Sequence, residues 1–276
     1  MSLAADRSDV VAVQRLRAQV FGAEFGLRSP GGLDTDEFDD RCDHLIVWFE
    51  RDEPEPGQGP ADGVGTAAAP QAVATYRLLP SHSNDAFPLA TGLYAHQEFG
   101  LAPLESLLDR TVEAGRACVH PDHRGGAAIA LLWSGIARYL HLTGHRYLIG
   151  CASMPLDDGP SQAAGLWDLV RESHLAPPWR RCRPRHGLPI GGVPRPERTV
   201  VPPLLRGYLR LGAWVCGPPA WDREFNTADF LVLLDLTITD RRYLRRFLGD
   251  AVEAAVGPAA DPVSEGAGPF GTGSPA

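Results

Sequence analysis

There is no lysine in this chain: all 26 basic residues are arginine. That absence excludes Schiff-base chemistry on a lysine amine and a phosphate loop built around lysine. No apolar run reaches the roughly 20 residues that span a bilayer, and the first residues lack the basic-then-apolar order of a secretory leader. A soluble, cytoplasmic protein is expected. The cysteines (Cys42, Cys118, Cys151, Cys182, Cys216) are odd in number and show no C-x-x-C or Cys/His spacing. Reduced thiols are expected of them, with neither a disulfide framework nor a metal site.

What is present is a chain of 276 residues, 44% hydrophobic, long enough to bury a substantial core. Its net charge of −8 hides an asymmetry. Residues 34–62 hold eleven acids against Arg41 and Arg51, whereas residues 171–246 hold fourteen arginines against seven acids. A basic half in an acidic protein points to an acidic partner, a protein or an anionic membrane surface; nucleic acid is not expected.

Val13, Leu16 and Val20 recur at helical spacing behind Asp6 and Ser8, which predicts an amphipathic helix over 9–22. An acidic loop from Gly26 to Asp43 follows, then strands at 45–49, 73–79 and 112–119. The Pro/Gly/Ala-rich stretch 53–70 reads as a flexible insertion. A helix is expected over 127–142, a strand over 147–152 and a helix over 161–172. The segment 177–203 is rich in Pro and Arg and irregular. A short helix over 204–215, a strand over 230–236 and a helix capped by Asp240 complete the folded part, taken as 1–250. Residues 251–276 are Gly/Pro/Ala-rich and expected to be disordered. The order predicts one mixed α/β domain, a sheet flanked by helices with a Pro/Arg-rich C-terminal extension.

The unit that carries chemistry is strand–turn–helix, 112–142. A Gly-rich turn that opens a helix exposes unpaired backbone N–H groups, which bind phosphate. Val119-His120-Pro121-Asp122-His123-Arg124-Gly125-Gly126 resembles the V-x-P-x-x-R-G segment of the GNAT acyltransferases, which cradles the pantetheine arm of an acyl thioester. The glycines of the full GNAT pattern are replaced here by Ala127 and Ile129. That departure suits a donor on a carrier protein, with its single phosphate, better than coenzyme A. Arg17-x-x-Val20-Phe21, Asp36-x-x-Asp39, Tyr76-Arg77-Leu78-Leu79-Pro80 and Glu113-x-x-Arg116 resemble segments of the autoinducer synthases in the same order. A longer likeness, over residues 9–236 without the 53–70 insertion, is to the bacterial ornithine N-acyltransferases. It is carried by 113–126, Leu132-Trp133-Ser134-Gly135-Ile136, Ala152-Ser153-Met154-Pro155, 202–212 and Phe225-Asn226-Thr227-Ala228-Asp229-Phe230.

The resemblance implies a GNAT-like fold and transfer of a long-chain (3-hydroxy)acyl group from acyl carrier protein to the α-amine of ornithine, giving lyso-ornithine lipid. No bound cofactor is expected; the donor is acyl-phosphopantetheine, with acyl-CoA as the alternative. Aminolysis of a thioester needs a proton acceptor and donors for the oxyanion. Glu113 is the candidate acceptor, with Arg77 and Arg116 anchoring carboxylates. A regular strand sends Glu113 and Arg116 to opposite faces, and a bulge at Gly115 would reunite them. Arg17, Asp36 and Asp39 are candidate acceptor-binding residues, the two aspartates suiting a second amine, although Arg17 fits a pairing with the acidic loop better. Val119, Arg124, Gly125 and Gly126 are candidates for the donor arm. Arg206 and Arg210, one turn apart, are candidates for docking the carrier or the inner membrane face. Trp133 and Trp167 fit the core or an acyl tunnel, Cys118 a buried thiol, and His120 and His123 a surface pair without a third ligand. Two other readings stay open: an N-acyl amino acid or N-acyl homoserine lactone synthase, and a non-catalytic GNAT-like module that binds acyl carriers.

Overall fold

The computed structural model describes residues 1–50, 70–81 and 92–239. The expected 53–70 insertion falls almost wholly outside these residues, as do the helix after Asp240 and the 251–276 tail. In chain order the elements are β1 (Ser2–Leu3), α1 (Arg7–Phe25), β2 (Asp43–Phe49), β3 (Gln71–Pro80), α2 (Ala95–Glu98), β4 (Phe99–Gly100), β5 (Thr111–Val119), α3 (Ala127–Thr143), β6 (Tyr147–Pro155), α4 (Ser161–Ser173), β7 (Arg183–Pro184), α5 (Pro203–Arg210), β8 (Trp214–Val215), β9 (Ala220–Asp222) and β10 (Thr227–Asp235).

The main sheet runs β1-β2-β3-β5-β6-β10-β8, with β9 also paired to β10. Every pairing is antiparallel except β5–β6, which is parallel. That parallel ladder holds only three pairs, Thr111↔Tyr147 to Glu113↔Ile149. Beyond it β6 stays with β10 as far as Pro155↔Thr227, while β5 follows β3 to Val119↔Ala74. The sheet therefore forks after Glu113. Gly150 sits at the fork because nothing larger fits: a Cβ there would lie 2.4 Å from the Ala114 carbonyl oxygen.

Period-two alternation places the core on both faces. Val112, Ala114, Phe230, Val232 and Leu234 pack with α3 and α5 through Leu132, Ile136, Leu140 and Tyr208. Leu79, Ile149, Leu231 and Leu233 face Leu93, Phe99, Leu104 and Leu108. Val13, Leu16, Val20 and Phe21 of α1 cover Ile46 and Cys118. Trp133 packs edge-on against Tyr208, with ring centroids 4.8 Å apart.

Asp6 caps α1 by accepting from the Ser8 and Asp9 N–H groups at 2.8 and 3.1 Å, so the helix begins earlier than its apolar spacing shows. The expected helix over 204–215 stops at Arg210, because Gly212 turns the backbone left-handed at φ +90° and Trp214–Val215 joins β10 instead. The bulge is present, but one step beyond Gly115. Cys118 pairs with Thr75 and Gly115 with Arg77, so Arg116 and Ala117 together face Tyr76 alone. Arg116 takes the strained conformation, at φ +48°.

Candidate active site

A cavity of about 320 Å³ opens where the strands part. Its walls include Tyr76, Arg77, Glu113, Gly115 and Arg116 from β3 and β5, and Cys151 and Ser153 from β6. Phe21 and Phe25 of α1, Pro202 to Leu204 at the head of α5, and Tyr94, Asp222, Phe225 and Asp229 complete it.

Glu113 is 4% exposed. Its oxygens accept the Tyr94 and Ala95 N–H groups, each at 2.6 Å, at the start of α2. Burial pushes its carboxyl up to about 6, against the pull of those two N–H groups and of Arg77 and Arg41. The bulge turns Arg116 onto the same side: its guanidinium lies 5.5 Å from the Tyr94 ring centroid and 4.8 Å from that of Phe225.

The acidic loop wraps this strand. Arg17, 1% exposed, holds both Asp39 oxygens at 2.9 and 2.6 Å and reaches Asp34 at 2.8 Å. Gln14 and Arg77 add bonds to Asp39 at 2.9 and 3.0 Å. Asp36 is shared between Arg77, at 2.5 Å, and Arg116, at 3.2 Å. Burial opposes the charge of Asp39, yet the hydrogen bonds and charge of Arg17 keep its carboxyl well below the usual range. Arg17, Asp36, Asp39, Arg77 and Arg116 thus meet in one network, with Asp39 saturated by side chains of the chain itself. Only Arg77 and Arg116 of the five line the cavity.

The turn after β5 lies apart from this network. Gly126, at φ +94°, heads α3 with no side-chain cap, leaving the first N–H groups of that helix open. Neither Gly125 nor Gly126 has a heavy atom within 4 Å of where a Cβ would stand. Arg124 donates to the Val119 carbonyl at 3.2 Å and pairs with Glu24. His120 and His123 stack edge-on at 5.8 Å, and no group of three metal-ligating side chains occurs among the described residues. Arg206 and Arg210 are exposed on α5, with Arg206 donating to the Val201 carbonyl. Trp133 and Trp167 do not line the cavity; both pack in the core. Cys118 is buried under α1, which pushes its thiol far up.

Sequence reasoning missed Tyr94, Asp222 and Asp229 as site residues. Asp229, 2% exposed, accepts from the Thr227 hydroxyl at 2.8 Å, and burial together with the Asp222 charge pushes its carboxyl up to about 6. Asp222 accepts the Glu224 and Phe225 N–H groups at 2.8 and 3.0 Å and the Tyr94 hydroxyl at 3.3 Å. Among the described residues neither is ion-paired to a cation within 4 Å. A charge inside the apolar strand 227–235 was the available signal for Asp229.

Residues 16–134 match the model of an acetyltransferase (GNAT) domain. The chain is 35% identical over 263 residues to the L-ornithine N(alpha)-acyltransferase of Rhodobacter capsulatus, covering 91% of this chain and 95% of that protein. The chain belongs to this family. The L-ornithine N(alpha)-acyltransferase of Brucella abortus is 30% identical, with 90% of this chain and 88% of the relative covered. A solved structure of the CoA-dependent acyl-homoserine lactone synthase BjaI aligns with a TM-score of 0.46 at 17% identity, covering 91% of this chain and 83% of that one. The mixed sheet flanked by helices is GNAT-like.

Proposed function

We propose that this chain moves a long-chain (3-hydroxy)acyl group from acyl carrier protein to the α-amine of ornithine, giving lyso-ornithine lipid. The observation that carries this is the placement of Glu113, a buried carboxylate at the fork of the sheet, in the wall of a cavity that Asp222 and Asp229, neither ion-paired within 4 Å among the described residues, also line.

The pantetheine arm lies along the β5 stretch beyond the fork, where backbone groups have no β6 partner, and its phosphate meets the open N–H groups at Gly125 and Gly126. Ala127 and Ile129, where the full pattern has glycine, favour the single phosphate of a carrier over coenzyme A. The amine nitrogen attacks the thioester carbonyl carbon and forms the C–N bond. Backbone N–H groups of β5 stabilise the oxyanion. Glu113 takes the proton from nitrogen, directly or through one water. The C–S bond then breaks, and the proton held by Glu113 passes to the departing thiolate, leaving the amide, the carrier's thiol and the carboxylate restored.

Arg116, stacked on Phe225 and Tyr94, anchors the carboxylate of ornithine. With Asp36 and Asp39 held by arginines, the second amine of ornithine goes to Asp222 and Asp229. Arg17, Asp36, Asp39 and Arg77 brace the loop that holds Arg116. Arg206 and Arg210, one to two turns from the cavity lip at Pro202–Leu204, steer the acidic carrier.

A thiol-release assay tests this. Purified chain with 3-hydroxyacyl carrier protein releases thiol only when ornithine is added, and the product is an amide. Thiol release with homoserine lactone precursors instead would favour the autoinducer-type reading, and none with any amine would favour the non-catalytic module.

A further inference from the structure

Residues 178–187 form a strap beside the cavity. On one edge Arg185 donates its N–H to the Glu98 carbonyl at 2.8 Å, and Phe99 and Gly100 pair with Pro184 and Arg183. On the other, Trp221 donates its N–H to the His186 carbonyl at 2.8 Å, and Gly187 bridges Ala220. The strap thus abuts the walls that supply Tyr94 and Asp222.

Extended backbone sends alternate side chains to opposite faces, about 6.6 Å apart along one face. Cys182 points inward and is 1% exposed. Arg181 and Arg183 are therefore set outward, and Arg185 follows at a bend; all three are exposed. Trp179, in the 3-10 turn Pro178–Arg180 just before this stretch, is 70% exposed.

These charges are held in place without being neutralised. Arg181 donates to the Ala176 carbonyl at 2.8 Å, Arg185 to the His96 carbonyl at 2.6 Å, and Arg180 to the Pro103 carbonyl at 3.1 Å. Among the described residues, none of Arg180, Arg181, Arg183 and Arg185 is ion-paired with a carboxylate. Arg180 ties this stretch to the turn 102–110, whose exposed charges are Glu105, Asp109 and Arg110; together the two segments carry five arginines and two acids in a chain of net charge −8.

We propose that the exposed segment carrying Trp179, Arg181, Arg183 and Arg185 docks the protein on an anionic lipid surface. Arginines attract anionic headgroups, each worth roughly fivefold in partitioning near such a surface. An indole left in water beside them suits the headgroup boundary, where its apolar body is covered and its N–H stays wet. The proposal rests on the acyl-transfer reading only in that an amphiphilic product needs a membrane to enter.

The test is co-sedimentation of the full chain with vesicles of phosphatidylglycerol and phosphatidylcholine, or of phosphatidylcholine alone. Binding is expected only with the anionic vesicles and should fall steeply with salt. R181E/R183E should weaken it by about tenfold or more, and Trp179→Ala by a smaller factor that salt does not change. Both variants should keep the parent's melting temperature and its solution kinetics with soluble carrier donor. Equal binding to both vesicle types, or no effect of either variant, overturns the proposal. So does an R181E/R183E variant that binds vesicles normally but has a raised KM for the carrier, which would assign the segment to the carrier protein. Should the charge reversal unfold the chain, Trp179→Ala alone decides. Vesicle binding is read apart from turnover, so failure here leaves the acyl-transfer reading standing.

Discussion

Glu113 and Ile149 form the last parallel pair before β5 and β6 part, so the buried carboxylate stands at the apex of the fork. Chain geometry alone thereby sets a buried carboxylate beside the stretch of β5 that has no β6 partner. The next residue on each strand, Ala114 and Gly150, makes the close approach that keeps the apex tight.

Replacing Glu113 by Gln keeps the size, removes the titrating carboxyl, and leaves one of the two N–H groups it accepts without an acceptor. Turnover is expected to fall by about 100-fold or more, with far-UV circular dichroism unchanged. In the parent, kcat/KM should rise with pH through about 6, where Glu113 loses its proton. A Gln variant that retains that pH limb would move the role elsewhere.

Asp229 should set acceptor choice at a cost in stability. The parent is expected to favour ornithine over the same amino acid lacking its second amine, and Asp229→Asn to lose that preference through a raised KM. The sign of the stability effect follows from the raised carboxyl, at about 6 in the fold against 3.8. Its cost grows as pH rises through that window and is complete above it. The Asn variant should therefore melt higher than the parent at pH 7.5, and the difference should shrink toward pH 4.

Arg17→Ala would leave Asp39 buried without its bidentate partner. Chemical denaturation should show a loss of about 3–5 kcal/mol, and Arg17→Lys should recover little because it cannot span both oxygens. An exposed-type loss below about 1 kcal/mol would contradict the bracing role.

Gly150→Ala drives a methyl into the Ala114 carbonyl. Stability should drop by about 1–3 kcal/mol, and turnover should drop with it, because the fork must widen at Glu113. Full activity in a well-folded variant would separate the apex from the chemistry.

Much of this was legible in the sequence because it is written in local patterns. Periodicity located α3 and β10, and the Val119 to Gly126 turn located the start of α3. The motif residues Arg17, Asp36, Asp39, Arg77, Glu113 and Arg116 do converge. Their partners were not legible, since an arginine's spacing does not say whether it faces a ligand or another side chain of its own protein. The Asp39 cage is of that kind, closed by residues 22 and 38 positions away. Tyr94 and Asp222 come from stretches with no periodic signal, and only tertiary packing carries them to Glu113. The end of α5 was misplaced because the left-handed turn at Gly212 interrupts an apolar pattern that continues into β8.

Mass spectrometry of lipids from cells that express the chain, with isotope-labelled ornithine in the medium, tests the central claim most directly. Cells carrying the parent should accumulate a labelled N-acyl-ornithine that cells carrying Glu113→Gln lack. Equal lipid profiles in the two, with both proteins folded and expressed, would contradict acyl transfer at the fork.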